Sequence, residues 1–239
     1  MITLLDVSFV INERGAAPEM LFDSVTAHFP AYERVGILAA PGSGKTTLAR
    51  LITGMLPPSG GHILRDGKVS TPMGYLAAMH PELTVEQNIS IICRAKGDDR
   101  LDALMLATSL GRLASLMDAP LKDLNAKDKR TLGFCVSLAS LNDMYVADDS
   151  LIFGEEESRE EAAAVLEACL EAAGLIFISS NQAQLRKRCD RFYVLRNSRL
   201  EECLDLDEAA EDLKAERLHS ARQLHTPDDK LPRKMFGWF

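Results

Sequence analysis

Pro41-Gly42-Ser43-Gly44-Lys45-Thr46-Thr47 is the stretch of sequence that decides the fold. The apolar residues 35–39 before it indicate a short buried strand, and residues 48–52 after it indicate the start of a helix. A strand, a glycine-rich turn and a helix in this order distinguish a phosphate-binding loop from a chance cluster of glycines. In such a loop, backbone N–H groups cradle a β-phosphate, Lys45 reaches the β- and γ-oxygens, and Thr46 offers its hydroxyl to Mg²⁺.

The predicted nucleotide-binding residues are those of this loop. They are Ala40, Pro41, Gly42, Ser43, Gly44, Lys45, Thr46 and Thr47. The leading glycine of the G-x-x-x-x-G-K-[ST] pattern is replaced by Ala39. If that position required a backbone angle open only to glycine, alanine would cost about 1 kcal/mol, which is too little to abolish binding. The alternative is a glycine-rich turn without a ligand.

Composition and charge exclude several other classes of protein. The chain has 239 residues, 46% of them hydrophobic and 26% charged, a balance typical of a globular domain. A net charge of −8 argues against a nucleic-acid partner. The apolar runs are too short to span a bilayer, and Met1 opens a strand rather than a signal peptide. Five widely spaced cysteines without a CxxC pair fit a reducing cytosol and predict no metal site built from cysteines.

Strand and helix patterns alternate along the chain, which predicts a mainly parallel α/β sheet. Strands are predicted at residues 2–10, 24–29, 35–39, 144–147 and 175–178. Hairpins are predicted at residues 59–70, closed by Asp66-Gly67, and at residues 192–203. Residues 84–141 show helical spacing of apolar residues, and an acidic stretch from residue 155 opens a helix that runs to residue 170.

Three further segments carry a family resemblance. Residues 51–61 end in a P-x-S-G run, residues 83–89 resemble an LTVxENI motif, and residues 189–195 resemble a final core strand. Over residues 1–205 the chain resembles the ATP-binding subunit of ABC transporters. The resemblance implies an α/β fold: a P-loop NTPase (RecA-like) core with an antiparallel β-subdomain and an inserted helical subdomain at about 84–140. Residues 206–239 are predicted to form a C-terminal helix and an aromatic tail.

Within the family, the chain is most similar to the exporters of capsular polysaccharide and O-antigen. Pro120-Leu121-Lys122, Leu132-Gly133-Phe134 and Gly154 match that branch. The lack of an appended C-terminal carbohydrate-binding domain favours the capsule type. The implied ligands are ATP and Mg²⁺.

The resemblance assigns the metal site to Thr46 and Asp148, with Asp148 acting through water. It places Asp149 at the position of the family's catalytic glutamate. Aspartate keeps the charge but withdraws the carboxylate by one methylene, and a displacement of about 1 Å can cost about 10²-fold in rate. The sequence therefore predicts slow hydrolysis.

Other functional positions of the family are altered in this chain. His80 stands at the Q-loop glutamine, and the alternative is a surface histidine beside Pro81. Ser180 stands at the switch histidine and is too short to replace an imidazole. The signature aligns with residues 124–128, of sequence Leu-Asn-Ala-Lys-Asp, and the D-loop aspartate position is Glu155. His80, Ser180 and Asp149 are the predicted catalytic positions.

The two ends of the chain each leave alternatives open. The aromatic residue that stacks on adenine in the family corresponds most nearly to Phe9 or Ile11, and the alternative is a Phe9 that faces the core. At the other end, residues 233–239 carry two basic residues and three aromatic ones. They could dock on a membrane or a partner, or they could be packed or disordered.

Two functions are predicted from these features. In the first, two copies of the chain enclose ATP beneath a membrane-embedded permease, with residues 83–89 near the contact, and slow hydrolysis resets an exporter. In the second, the chain is a degenerate, non-hydrolysing regulatory or structural subunit that forms a heterodimer with an intact ATPase. Both place it in the cytoplasm, peripheral on the inner membrane. A soluble P-loop kinase would leave residues 83–89 unexplained.

Overall fold

The structure is a computed structural model that describes residues 1–12, 17–76, 79–149, 151 and 159–224, with side chains described as far as residue 216. Within these ranges the chain forms eight strands in two sheets and seven α-helices. None of the described helices is long and apolar enough to cross a membrane.

The larger sheet has five strands in the order β5-β6-β3-β7-β8. Their bounds are β3 Arg34–Ala39, β5 Met144–Asp148, β6 Gly174–Ser179, β7 Arg191–Arg196 and β8 Arg199–Cys203. Strands β5, β6, β3 and β7 are parallel, and β8 closes the predicted hairpin with β7. Every residue of β6, which lies between β5 and β3, is buried, as expected for a strand covered on both faces. The predicted parallel α/β sheet is confirmed.

The smaller sheet is antiparallel, in the order β2-β1-β4, with β1 Ile2–Ile11, β2 Glu19–Phe29 and β4 Gly60–Arg65. Strand β4 lies against β1, with Ile2 opposite Arg65. The approach is so close that a Cβ on Gly61 would lie 2.2 Å from the Asp6 carbonyl oxygen, so only glycine fits there. This arrangement corresponds to the expected β-subdomain.

The hairpin predicted at residues 59–70 is wrong. Strand β4 pairs with β1, whereas Val69 forms a parallel bridge with Met144 of β5. The chain therefore crosses from one sheet to the other at Asp66-Gly67. An Asp-Gly pair specifies a local change of direction, but it does not specify which strand the chain meets afterwards.

In the described ranges, six helices lie between strands and a seventh follows the last strand. They are α1 Lys45–Thr53, α2 Val85–Lys96, α3 Arg100–Met105, α4 Ala126–Ala139, α5 Arg159–Leu170, α6 Gln182–Arg188 and α7 Leu206–Leu224. The predicted helical region thus contains α2, α3 and α4, joined by a π-helical turn and two 3₁₀ turns. Thr84 opens α2 with a capping box completed by Gln87. Residues 152–158, where the predicted acidic helix begins, lie outside the described residues.

Two hydrophobic cores lie on opposite faces of the larger sheet. One contains Phe134 of α4 and Leu166 of α5, and the buried face of α7 joins it through Leu213. The other contains Phe22 of β2 and Leu51 of α1. The glycine-rich loop connects β3, at the middle of this sheet, to α1, so both of its ends are anchored in packed structure.

Burial also explains the cysteines that the sequence left without a role. Cys93, Cys135 and Cys189 are buried free thiols. Burial raises the pKa of Cys135 and of Cys189 to about 12. Such thiols remain protonated and unreactive near neutral pH.

Candidate phosphate-binding site

The loop between β3 and α1 has the geometry of an anion-binding turn. Gly42 and Gly44 have φ values of 83° and 92°, which favour glycine. The Ser43 backbone N–H donates to the Ala40 carbonyl at 3.2 Å and closes the turn. Helix α1 begins at Lys45, and no side chain caps its N-terminus, so the free N–H groups of its first turn point at the loop.

The substitution at the leading glycine position does not strain the loop. Ala39 ends β3 in that strand's extended backbone, paired with Leu195, and its φ is not positive. The conditional cost considered for this alanine therefore does not apply.

Lys45 is held at the loop by two contacts. Its side chain is 8% exposed. The Nζ atom donates to the Ala40 carbonyl at 3.3 Å and lies 3.7 Å from Asp149 Oδ1. The ammonium group is therefore already placed beside the turn that would receive a phosphate.

Thr46 and Asp148 form the second half of the site. Thr46 Oγ1 donates to Asp148 Oδ2 at 2.5 Å. The other carboxylate oxygen of Asp148 is buried and has no hydrogen-bond partner among the described residues. Burial raises the pKa of Asp148, against the lowering effect of the Thr46 hydrogen bond. The charge of Asp149 also raises that pKa, while Lys45 and Arg130 lower it.

These two residues fit a divalent cation. Mg²⁺ prefers oxygen ligands and is commonly held by one or two carboxylates together with substrate phosphates. A hydroxyl beside a carboxylate with an unused buried oxygen supplies such a donor set.

Asp149 follows directly and turns back towards the loop. Its φ is 64°, a left-handed conformation that aspartate tolerates better than most residues. Its backbone N–H donates to the Ile178 carbonyl at 2.8 Å, which anchors the turn on β6. The carboxylate is half-exposed and faces Lys45, so water can reach it.

The other predicted positions are arranged differently. His80 is exposed in the loop before α2, where its backbone N–H donates to Asn88 Oδ1 at 2.7 Å and its Nδ1 accepts from the Glu82 N–H. It does not line the cleft at Thr46 and Asp148. Ser180 lies on the other flank of the loop, in a cavity of about 200 Å³ that it shares with Ala40 and Pro41. The structure thus gathers Lys45, Thr46, Asp148 and Asp149, with Ser180 beside the loop and His80 apart.

The residues aligned with the family signature form the N-terminus of α4. Asn125 caps the helix by accepting from the Asp128 N–H at 2.9 Å. Its Nδ2 donates to the Asp128 carboxylate at 2.8 Å. Both side chains are therefore engaged with each other. Glu155 and Gly154 lie outside the described residues, as do residues 233–239.

The candidate adenine contacts lie on the smaller sheet. Phe9 is partly buried against the core of that sheet and pairs with Phe22. The side chain that packs on the loop is Leu21, because a Cβ on Gly44 would lie 2.8 Å from its Cδ2. Sequence reasoning missed Leu21, since nothing about an aliphatic residue in a strand marks it as a neighbour of the loop.

An open cleft of about 400 Å³ extends from Thr46 and Asp148. Arg50 and Tyr75 line it, as does Arg130 of α4. None of the three is among the residues predicted from the sequence. Arg50 lies one turn after Thr46 on α1, whereas Arg130 comes near the site only because α4 packs on the Gly74 segment.

Comparisons with known proteins agree with this geometry. A family model described as "ABC transporter" matches residues 22–152. The capsule polysaccharide export ATP-binding protein CtrD of Neisseria meningitidis is 29% identical over 179 residues, which cover 75% of this chain and 83% of that protein. The ATP-binding protein BexA of Haemophilus influenzae is 29% identical over 177 residues, covering 74% and 82%.

A solved structure supports the fold. The dimeric post-hydrolysis state of the ATP-binding cassette MJ0796, bound to ADP and Pi, superposes with a TM-score of 0.70. The match covers 84% of this chain and 98% of that one, at 16% identity.

Proposed function

The chain belongs to the ABC transporter family as an ATP-binding domain, and from that premise we propose that it is the ATP-binding subunit of an exporter of capsular polysaccharide or a related glycan. The family binds ATP, and the substrate class is inferred from the names of relatives such as CtrD. In this proposal the chain works at the cytoplasmic face of the inner membrane, beneath a permease.

The observation that carries the proposal is the pair formed by Thr46 and Asp148. The two residues are 102 positions apart in the sequence, yet the hydroxyl donates to the carboxylate at 2.5 Å. A glycine-rich loop alone could bind many anions. A loop with a cation site at its end is suited to a nucleotide whose phosphates share a metal ion.

Each residue then has a chemical role. Lys45 and the loop N–H groups would bind and orient the β- and γ-phosphates, and Thr46 with Asp148 would hold Mg²⁺. The metal ion, when bound, would neutralise part of the phosphate charge. Asp149 would accept a hydrogen bond from the attacking water and take up its proton. Its short side chain makes this hydrolysis slow.

A second function is supported by a specific contact. Asp128 places a carboxylate in the segment that caps the nucleotide of the opposite subunit in the family, and Asn125 is occupied in bonding it. The Asp128 carboxylate at the N-terminus of α4 would repel the phosphates of that nucleotide. In this alternative the chain is a non-hydrolysing regulatory subunit that pairs with an intact ATPase.

One experiment tests the proposal. ATP binding by the purified chain with Mg²⁺ is measured together with steady-state turnover, for the wild type and for Lys45→Ala. The matched control is Lys187→Ala, which removes the same charge from an exposed position on α6. Binding and slow turnover that are both lost only in Lys45→Ala support the motor. Binding without turnover supports the regulatory subunit, and binding unchanged in Lys45→Ala overturns both.

A further inference from the structure

Arg130 of α4 lies in the cleft at Thr46 and Asp148 without a partner among the residues that the structure describes. It lines that cleft and makes no hydrogen bond or ion pair with any residue that the structure describes. Its neighbour Lys129, by contrast, donates its Nζ to the Lys122 carbonyl at 2.9 Å. An unpaired guanidinium with five donors beside an anion-binding loop is available to a ligand.

A close contact between two glycines sets the position of Arg130. A Cβ on Gly133 would lie 2.6 Å from the carbonyl carbon of Gly74, so α4 rests directly on the backbone of the segment that walls the cleft. A Cβ on Gly74 would lie 2.9 Å from the ring of Phe134 and 3.3 Å from Arg130 Cγ. The stem of Arg130 therefore lies over Gly74, inside the cleft.

The other side chains of the cleft favour an anion in front of Arg130. The Arg50 guanidinium lies over the ring of Tyr75, 5.1 Å from its centroid, and its buried Nε has no partner among the described residues. The charge of Arg130 acts on Asp148. The Arg130 guanidinium and the unpaired Nε of Arg50 thus accompany a carboxylate suited to a cation. Guanidinium groups are well matched to phosphate oxygens.

We propose that Arg130 contacts the terminal phosphate of the ATP bound by its own subunit, and that it makes the site prefer ATP over ADP. Thr46 and Asp148, which would hold a cation that neutralises charge on the terminal phosphates, open onto this cleft. The γ-phosphate then lies at the end of the nucleotide that adjoins this cleft, where Arg130 has no partner in the described part of the chain. This inference rests on the proposed function, because it requires a nucleotide in the loop.

The test is the ratio of two affinities. Binding of ADP and of the non-hydrolysable analogue adenosine 5′-(β,γ-imido)triphosphate is measured with Mg²⁺ by calorimetry for the wild type and for Arg130→Ala. Loss of one charge-assisted contact is expected to weaken binding of the triphosphate about tenfold or more and to leave ADP affinity unchanged. Arg130→Lys is expected to recover part of the loss, because a lysine keeps the charge but not the planar fork.

Two further variants separate the possible failures. Arg94→Ala removes an arginine from the last turn of α2, away from the cleft, and is expected to change neither affinity. Lys45→Ala is expected to weaken both nucleotides. If Arg130→Ala affects both nucleotides equally, or neither, while Lys45→Ala weakens both, the role of Arg130 is refuted and the P-loop assignment stands. If Lys45→Ala changes nothing, both proposals fall.

Discussion

Lys45 Nζ lies 3.7 Å from Asp149 Oδ1, so the lysine of the loop and the proposed general base face each other. The carboxylate is half-exposed, and an ion pair of this kind contributes about 0–1 kcal/mol. Nucleotide phosphates would compete with Asp149 for the ammonium group. The residue proposed to activate water therefore also opposes phosphate binding.

Asp149→Asn is expected to lower ATP turnover at least about 100-fold, because the amide cannot accept the proton. The same change is expected to tighten ATP binding by about two- to fivefold, since Lys45 loses its competing partner. Steady-state turnover and calorimetric affinity measure the two effects. Unchanged turnover would exclude Asp149 as the base.

Asp149→Glu is the complementary variant. It extends the carboxylate by one methylene and is expected to raise turnover. The folded protein is expected to lose about 1 kcal/mol of stability, because residue 149 has a left-handed φ of 64°. Turnover is compared with thermal stability in the same preparation. A variant that folds and hydrolyses ATP more slowly than the wild type would show that reach does not limit the reaction.

Asp148→Asn is expected to stabilise the nucleotide-free protein at neutral pH. Burial holds the pKa of Asp148 above its ordinary value of 3.8 in the folded state. The folded protein therefore binds this proton more tightly than the unfolded chain, and the stability so gained is lost as the pH rises through the folded-state pKa. Asparagine removes the buried charge but can still accept from Thr46, so the melting temperature should rise at pH 7.

The difference between Asp148→Asn and the wild type should narrow as the pH is lowered towards 3.8. Melting temperatures measured across this range without nucleotide provide the check. Asp190→Asn, an exposed site, controls for the change in net charge. A lower melting temperature for Asp148→Asn at pH 7 would contradict the assignment.

For the same variant, Asp148→Asn, we expect that Mg²⁺ no longer increases the affinity for ATP.

Asp128→Asn tests the regulatory alternative. The change removes a negative charge from the first turn of α4 and is expected to cost about 0.3–1 kcal/mol of stability. If Asp128 opposes dimer closure, the variant should form ATP-dependent dimers more readily at low salt. Sedimentation measures the dimer fraction with ATP, and both proteins carry Asp149→Asn so that turnover is suppressed. Dimerisation unaltered by the change would remove the main support for a subunit disabled at its signature.

The residues nearest the loop could be predicted from the sequence because their geometry is local. Lys45 and Thr46 follow from the strand, the turn and the helix, and Asp148 follows from the end of a buried strand. Parallel strands end at the same edge of a sheet, so the motif and the sheet together bring Asp148 to Thr46.

Arg130 and Leu21 could not be predicted because their nearness to the loop is not local. Arg130 reaches the cleft through the packing of α4 on Gly74, and Leu21 reaches Gly44 from a different sheet. The wrong hairpin at Asp66-Gly67 has the same origin, since pairing partners are decided by distant edges. The sequence pattern does not indicate contacts of this kind.

Gly133→Ala tests the packing that positions Arg130. Within a helix, alanine normally gains about 0.5–1 kcal/mol over glycine. Here the added Cβ would lie 2.6 Å from the Gly74 backbone, which cannot rotate away. We expect the clash to prevail and to destabilise the protein by about 1–3 kcal/mol. Denaturant unfolding measures it, with Gly60→Ala as the control for glycine loss alone, because φ is not positive there and a Cβ would make only an ordinary 3.7 Å contact with Ser8 Cβ. An increase in stability would show that α4 can move away from the Gly74 backbone.

The contact of Gly74 with Gly133 also has an evolutionary consequence. A Cβ on Gly133 would meet the Gly74 backbone, and a Cβ on Gly74 would meet the ring of Phe134, so neither position can acquire a side chain while α4 stays where it is. The two positions should therefore change together in evolution, because a larger residue at either one requires a shift of the whole of α4. Among descendants of this chain, the identity of these two residues would then report whether the wall of the cleft has kept its shape.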